Sequence, residues 1–146
     1  MPGARTWAVA RTGAEGALVE VEADQSNQLP GMQIIGLPDK SLGEAEQRVR
    51  GAAANSSLTL PRRRVTVNLS PASLPKHGSG FDVAIAVATL ATDGYLDLAS
   101  LARTVHIGEL GLDGRLRPVS GVLPAVVAAA RAGLTHVVVP RANEDE

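Results

Sequence analysis

The sequence predicts an α/β (α+β) domain, a mixed sheet of about seven strands with about three helices packed against it. Three observations predict it. Short segments alternate apolar and polar residues, which puts one set on each face of a pleated strand. Longer segments between them repeat apolar residues at helical spacing. Clusters of Gly, Pro, Asn and Asp punctuate the two kinds.

Residues 6–11 carry Trp7 and Val9 on one face and Thr6, Ala8 and Ala10 on the other. After a turn at 13–16, Val19 and Val21 alternate with Glu20 and Glu22, so the two segments form an antiparallel hairpin with one solvated face. A loop at 27–31 leads to a short apolar strand at 32–36. Asp39 is placed to cap the next helix, whose stripe is Leu42, Ala45, Val49, Ala52 and Ala53. Glu44 with Arg48 and Glu46 with Arg50 are i,i+4 pairs on its solvent side. Val65, Val67 and Leu69 mark a strand at 64–69, and a Pro-, Gly- and Ser-rich loop follows at 71–80. The segment 81–91 is apolar nearly all round, as a buried helix is. Residues 105–110 and 115–117, joined by Leu112-Asp113-Gly114, read as a second hairpin. A third helix at 122–132 ends at Gly133, and 135–139 is a closing strand.

The chain has 146 residues, the size of one domain with a core of its own. It has no cysteine, which excludes disulfides, thiol nucleophiles and thiolate zinc sites. No apolar run is long enough for a membrane span and no signal peptide opens the sequence, so a cytoplasmic protein without membrane contact is expected. The net charge of −1 gives no bulk attraction to nucleic acid, so any such contact must come from a local patch. One Trp, one Tyr and one Phe are too few to stack single-stranded bases.

Four motifs need weighing. Gly31 and Gly36 have P-loop spacing, but Leu37-Pro38 follow where Lys and Ser or Thr are required, so a strand running into a turn is preferred. In Pro75-Lys76-His77-Gly78-Ser79-Gly80-Phe81-Asp82, Ser79 and Asp82 have the spacing of a capping box before an apolar run. The glycines and Lys76 also suit an anion at a helix start, and Ser79 with a nearby Lys raises a Ser–Lys dyad. Arg62, Arg63 and Arg64 could meet phosphates, or could pair across the sheet with Glu20 and Glu22. His77, His106 and His136 have no metal-ligand spacing and read as ordinary surface or core residues.

Together, Gly36-Leu37-Pro38-Asp39, the run Arg63-Arg64-Val65-Thr66-Val67-Asn68-Leu69-Ser70-Pro71, and Lys76 to Asp82 form a pattern. Gly108-Glu109-Leu110-Gly111-Leu112-Asp113-Gly114-Arg115, Gly121-Val122-Leu123-Pro124-Ala125 and Val139-Pro140-Arg141 complete it. The pattern resembles the N-terminal domain of the magnesium-chelatase-like AAA+ ATPases, the ComM family, a domain similar in fold to the proteolytic domain of Lon. The resemblance implies a Lon-like domain over 1–142, with 143–146 starting a linker to a motor outside these residues. It implies a parent that is an ATP-dependent DNA motor of recombination and natural transformation. Such a parent takes ATP and Mg2+ in its motor and assembles as a homo-oligomeric ring, expected to be a hexamer. Against Lon, the nucleophilic Ser falls on Gly80, and the catalytic Lys falls on Leu123 after Ser120-Gly121-Val122. A leucine cannot take a proton, so this stretch is expected to be a non-catalytic module with no cofactor of its own. A pure scaffold without DNA contact, a residual Ser–Lys peptidase and an accessory of metal chelation are the alternatives.

Overall fold

A computed structural model describes the chain apart from residues 1–2, 13–14, 72–73, 75, 77–79, 95 and 146, and the side chains of Arg11, Thr12, Glu15 and Asp39. Strands β1 (Ala4–Thr12) and β2 (Glu15–Ser26) form the hairpin, β3 (Gly31–Ile35) leads to helix α1 (Asp39–Asn55), and β4 (Arg64–Ser70) follows. Then come α2 (Asp82–Ala91), the short α3 (Leu98–Leu101), β5 (Thr104–His106), β6 (Glu109–Leu110) and β7 (Leu116–Arg117). Helix α4 (Val122–Arg131), β8 (His136–Val138) and a 3-10 turn (Arg141–Asn143) close the described chain. Six strands form one sheet in the order β3-β4-β2-β1-β5-β8, and β6 and β7 form a small separate one. The β1–β2 and β2–β4 pairs are antiparallel, while β3–β4, β1–β5 and β5–β8 are parallel.

Alternation decides which face each helix covers. Ala8, Ala10, Val19, Val21, Val65, Val67 and Leu69 point to one face and form the main core with Ala45, Val49 and Ala52 of α1 and Ala84, Ile85 and Ala88 of α2. Phe81, at the start of α2, fills this core, which is otherwise built of small aliphatic side chains. Trp7, Val9 and Leu18 point to the opposite face, where they pack with Val105 and with Val122, Ala125 and Ala129 of α4. The helices joining β3 to β4 and β5 to β8 thus lie on opposite faces, although both connections step the same way across parallel strands. Two right-handed connections of that kind would share a face. The second detours through the β6–β7 hairpin, whose strand β6 contacts α1 and α2, before the chain turns back to α4.

Helix α4 covers only part of its face. The outer residues Glu20, Glu22 and Asp24 of β2, Thr66 and Asn68 of β4 and Gln33 and Ile35 of β3 stay exposed or half-buried. That is the solvated face expected from the alternation in the second strand.

Two local expectations need correction, and two further features carry no signal in the sequence. Asp39 is the first helical residue, not the cap; that position is Pro38, which has no side-chain acceptor to offer. Residues 105–110 do not make one strand, because Gly108 at φ 130 turns the chain, so that β5 joins the main sheet and β6 leaves it. Helix α3, four residues long, is too short to show a helical period in the sequence; Asp97 caps it by accepting from the Ala99 N–H. Asn143, at the start of the expected linker, is buried, and its amide exchanges two hydrogen bonds with the backbone of Val119. The stop at Gly133 follows the expectation: its φ is 82, its N–H donates to Ala130 O and the Leu134 N–H donates to Ala129 O.

Candidate functional site

Arg62 and Arg63 lie in the bend that leads into β4, and Arg64 is its first residue. Val65, Val67 and Leu69 are buried, so Arg64 falls on the opposite face with Thr66, Asn68 and Ser70. The pairing with Glu20 and Glu22 is absent. In the antiparallel register Arg64 faces Ser26, while Glu22 faces Asn68 and Glu20 faces Ser70. Glu20 instead bonds Arg5 of β1 at 3.4 Å. Among the described residues, no carboxylate forms an ion pair with Arg62, Arg63 or Arg64. A Cβ on Gly31, across from Arg64, would lie 3.1 Å from its Nη1, so the missing side chain leaves the guanidinium room.

The second group of candidates lies beyond the far end of β4. Seven residues of strand, about 20 Å, separate it from the arginines, so the two groups do not form one surface. Lys76 is only 4% exposed, and its ammonium donates to the carbonyls of Pro71 at 2.5 Å and Leu74 at 2.8 Å. Its stem packs over Gly36, where a Cβ would meet Lys76 Cε at 3.2 Å and Leu69 O at 2.6 Å. The ammonium therefore ties the loop to itself instead of facing solvent. Gly78 and Ser79 lie outside the described residues, and with them the Ser79 side of the predicted capping box. Gly80 is half-buried, with open space where a Cβ would stand.

Asp82 takes an unexpected partner. It opens α2 and is 1% exposed, and its Oδ2 accepts from Arg48 Nε of α1. The expected partner of Arg48, Glu44, is more distant at 3.8 Å, whereas the Glu46–Arg50 pair forms at 2.8 Å. The other oxygen of Asp82, Oδ1, is buried without a hydrogen-bond partner among the described residues. Burial raises the Asp82 carboxyl above its ordinary value, against the lowering effect of Arg48, and the charges of Glu109 and Glu44 add to the rise. Sequence spacing carries no signal for this pair, because its members are 34 residues apart on different helices.

Leu123 is the second residue of α4 and is 60% exposed, on the opposite face of the sheet from α2. Among the described residues, no group of three or more His, Asp or Glu side chains converges as a metal site needs. His106 is buried in the core beside Thr6, and His136 is exposed on β8. No helix among the described residues is long and apolar enough to cross a membrane.

Residues 21–143 match the family described as subunit ChlI of Mg-chelatase. The chain is 49% identical over 142 residues to an uncharacterized protein of Mycobacterium tuberculosis, a match covering 97% of this chain and 28% of that protein. It is 41% identical over 137 residues to the competence protein ComM of Haemophilus influenzae, covering 94% of this chain and 27% of ComM. A more distant similarity, 32% over 158 residues, relates all of this chain to 19% of the Lon protease of Salinispora arenicola. The chain thus spans little more than a quarter of the mycobacterial and Haemophilus relatives.

Proposed function

Because the chain belongs to the family of the ChlI subunit of Mg-chelatase, with ComM among its relatives, we propose that it is a non-catalytic module of a ComM-type AAA+ ATPase, aiding ring assembly and DNA handling. One structural observation carries the DNA part: Arg62, Arg63 and Arg64 cluster at one end of the sheet with no carboxylate partner among the described residues. Guanidinium groups left free in this way take phosphate oxygens bidentately. ATP and Mg2+ belong, in this reading, to a motor outside these residues. The segment of P-loop glycine spacing does not fit a phosphate here, since residues 31–35 are the strand β3, hydrogen-bonded to β4. The parent is read as a cytoplasmic homo-oligomeric ring, a hexamer, and this module as a passive part of it.

The test is fluorescence anisotropy with a labelled duplex at 50 and 200 mM salt. Three phosphate contacts give a salt slope of about −2.7 and an affinity loss on the order of 40-fold between those salts. Arg62→Ala with Arg64→Ala weakens binding and leaves folding intact. Unchanged binding overturns the role of the arginines, and no binding at either salt favours the scaffold without DNA contact. Binding by the ring but not by the isolated chain assigns the affinity to many copies acting together.

The similarity to Lon favours a second reading, a residual Ser–Lys peptidase. Leu123 stands where that chemistry needs an amine to activate the hydroxyl, so Ser79 should resist a serine-directed fluorophosphonate. Covalent labelling there would restore the peptidase reading. An accessory role in metal chelation has no converging ligand set among the described residues to support it.

A further inference from the structure

Strand β2 ends at Ser26 and β3 begins at Gly31, and these two residues flank Arg64 from opposite sides of β4. The four residues between them therefore cross two inter-strand spacings, about 10 Å, over the point where Arg62 and Arg63 lead into β4. Asn27, Gln28, Leu29 and Pro30 are all exposed, and Leu29, at 84%, is the most exposed large apolar side chain among the described residues. Among the described residues it belongs to none of the three apolar clusters, and it stands beside the arginine run instead. The nearest acid on β2, Asp24, faces Thr66 and makes no ion pair with the arginines.

One end of the sheet thus holds three kinds of group side by side: unpaired guanidiniums, two side-chain amides and a projecting Leu-Pro. Arginines hold phosphates, amides hydrogen-bond base edges in the minor groove, and leucine or proline wedges between base pairs and opens the step. The geometry points to a duplex-DNA wedge at this end of the sheet, with Leu29 inserted between base pairs while Arg62 and Arg63 hold the flanking phosphates. Among the described aromatic residues, Trp7 is half-buried against Ala102 O and Phe81 lies in the core, so neither can stack on a base, which favours a duplex over single strands. This inference rests on the DNA-handling reading above and adds to it the form of DNA and the residue that deforms it.

The test uses the full-length protein and a duplex carrying 2-aminopurine, read by anisotropy for affinity and by 2-aminopurine fluorescence for unstacking. Binding raises the fluorescence. Leu29→Ser keeps the salt slope and loses the fluorescence rise, while Leu29→Phe retains both. Arg62→Ala with Arg63→Ala flattens the salt slope by about 1.8, at 0.9 per phosphate. Circular dichroism melts of the Leu29 variants match the parent, since the side chain is exposed. Duplex binding with no fluorescence rise, or a rise that survives Leu29→Ser, overturns the wedge and leaves DNA handling standing. No binding to the duplex, or a preference for phosphatidylserine vesicles over it, overturns both.

Discussion

Arg48 of α1 holds one oxygen of Asp82 at the start of α2 and leaves the other buried without a partner among the described residues. The pair fastens the two helices that cover the inner face, and it does so at the root of the loop that carries Lys76. Removing the cation would strand a charge in the core. Arg48→Met should therefore cost about 3 kcal/mol at neutral pH, the low end for a broken buried pair because Arg48 is partly exposed. Arg48→Met combined with Asp82→Leu should cost less than Arg48→Met alone. The carboxyl is raised above its unfolded value of 3.8, so across that window the folded state keeps a proton that the unfolded chain has lost. The contribution of Asp82 to stability accordingly falls as pH rises. Urea titrations of the parent and the two variants at several pH values check both statements.

His106 should act in the opposite sense. The Thr6 hydroxyl donates to Thr104 O at 2.9 Å, so its oxygen accepts from His106 Nε2 at 3.0 Å and Nδ1 is left as a buried acceptor with no partner. Burial lowers this imidazole from 6.5 to about 4. The unfolded chain gains the proton first as pH falls, so stability present above 6.5 is lost on the way to 4. The loss is on the order of 3 kcal/mol, at 1.36 per pH unit. His106→Gln keeps a donor toward Thr6 and should flatten the stability profile between pH 4 and 6.5.

Lys76→Met should destabilise the domain by about 2 kcal/mol, because it removes the donor shared by the Pro71 and Leu74 carbonyls. Water can reach the exposed Pro71, which keeps the loss moderate. If Lys76 served an anion in solution instead, Lys76→Met would leave the melting temperature unchanged and abolish phosphate binding.

Ser57 ends α1 at φ 56, and the bonds Ser57 N–H to Ala54 O and Leu58 N–H to Ala53 O close the helix there. A Cβ in that conformation costs free energy, so Ser57→Gly should stabilise by about 0.5–1 kcal/mol. Gly133 ends α4 at φ 82 with open space around its Cβ position, so Gly133→Ala should lose about 1 kcal/mol through the backbone alone. Thermal melts of the two variants should move in opposite directions.

Elements with a clean period were legible in the sequence: the alternations in β1, β2 and β4, the stripe of α1 and the glycine stop of α4. Tertiary choices were not. Residues 105–110 set Val105, Ile107 and Leu110 among His106, Gly108 and Glu109, and a lone glycine in such a run reads as a bulge as readily as the division between two sheets that Gly108 makes. Lys76 is a residue type that is seldom buried, and its carbonyl partners come from a loop with no periodicity. The arginine run stood out by charge, but its freedom from Glu20 and Glu22 depends on a register that sequence alone leaves open. In the sequence Leu29 is one residue of a loop, since its place beside the arginines appears only once β3 and β2 are set on either side of β4.

The placement of Arg64 is a matter of parity. Inserting or deleting one residue within β4 would exchange the seats of Val65, Val67 and Leu69 with those of Thr66, Asn68 and Ser70 for the rest of the strand. Length can drift in this tract only by even steps, or in the bend ahead of it. Odd changes would send hydroxyls and an amide inward and valines outward, and α1 and α2 would lose part of the apolar face that they cover.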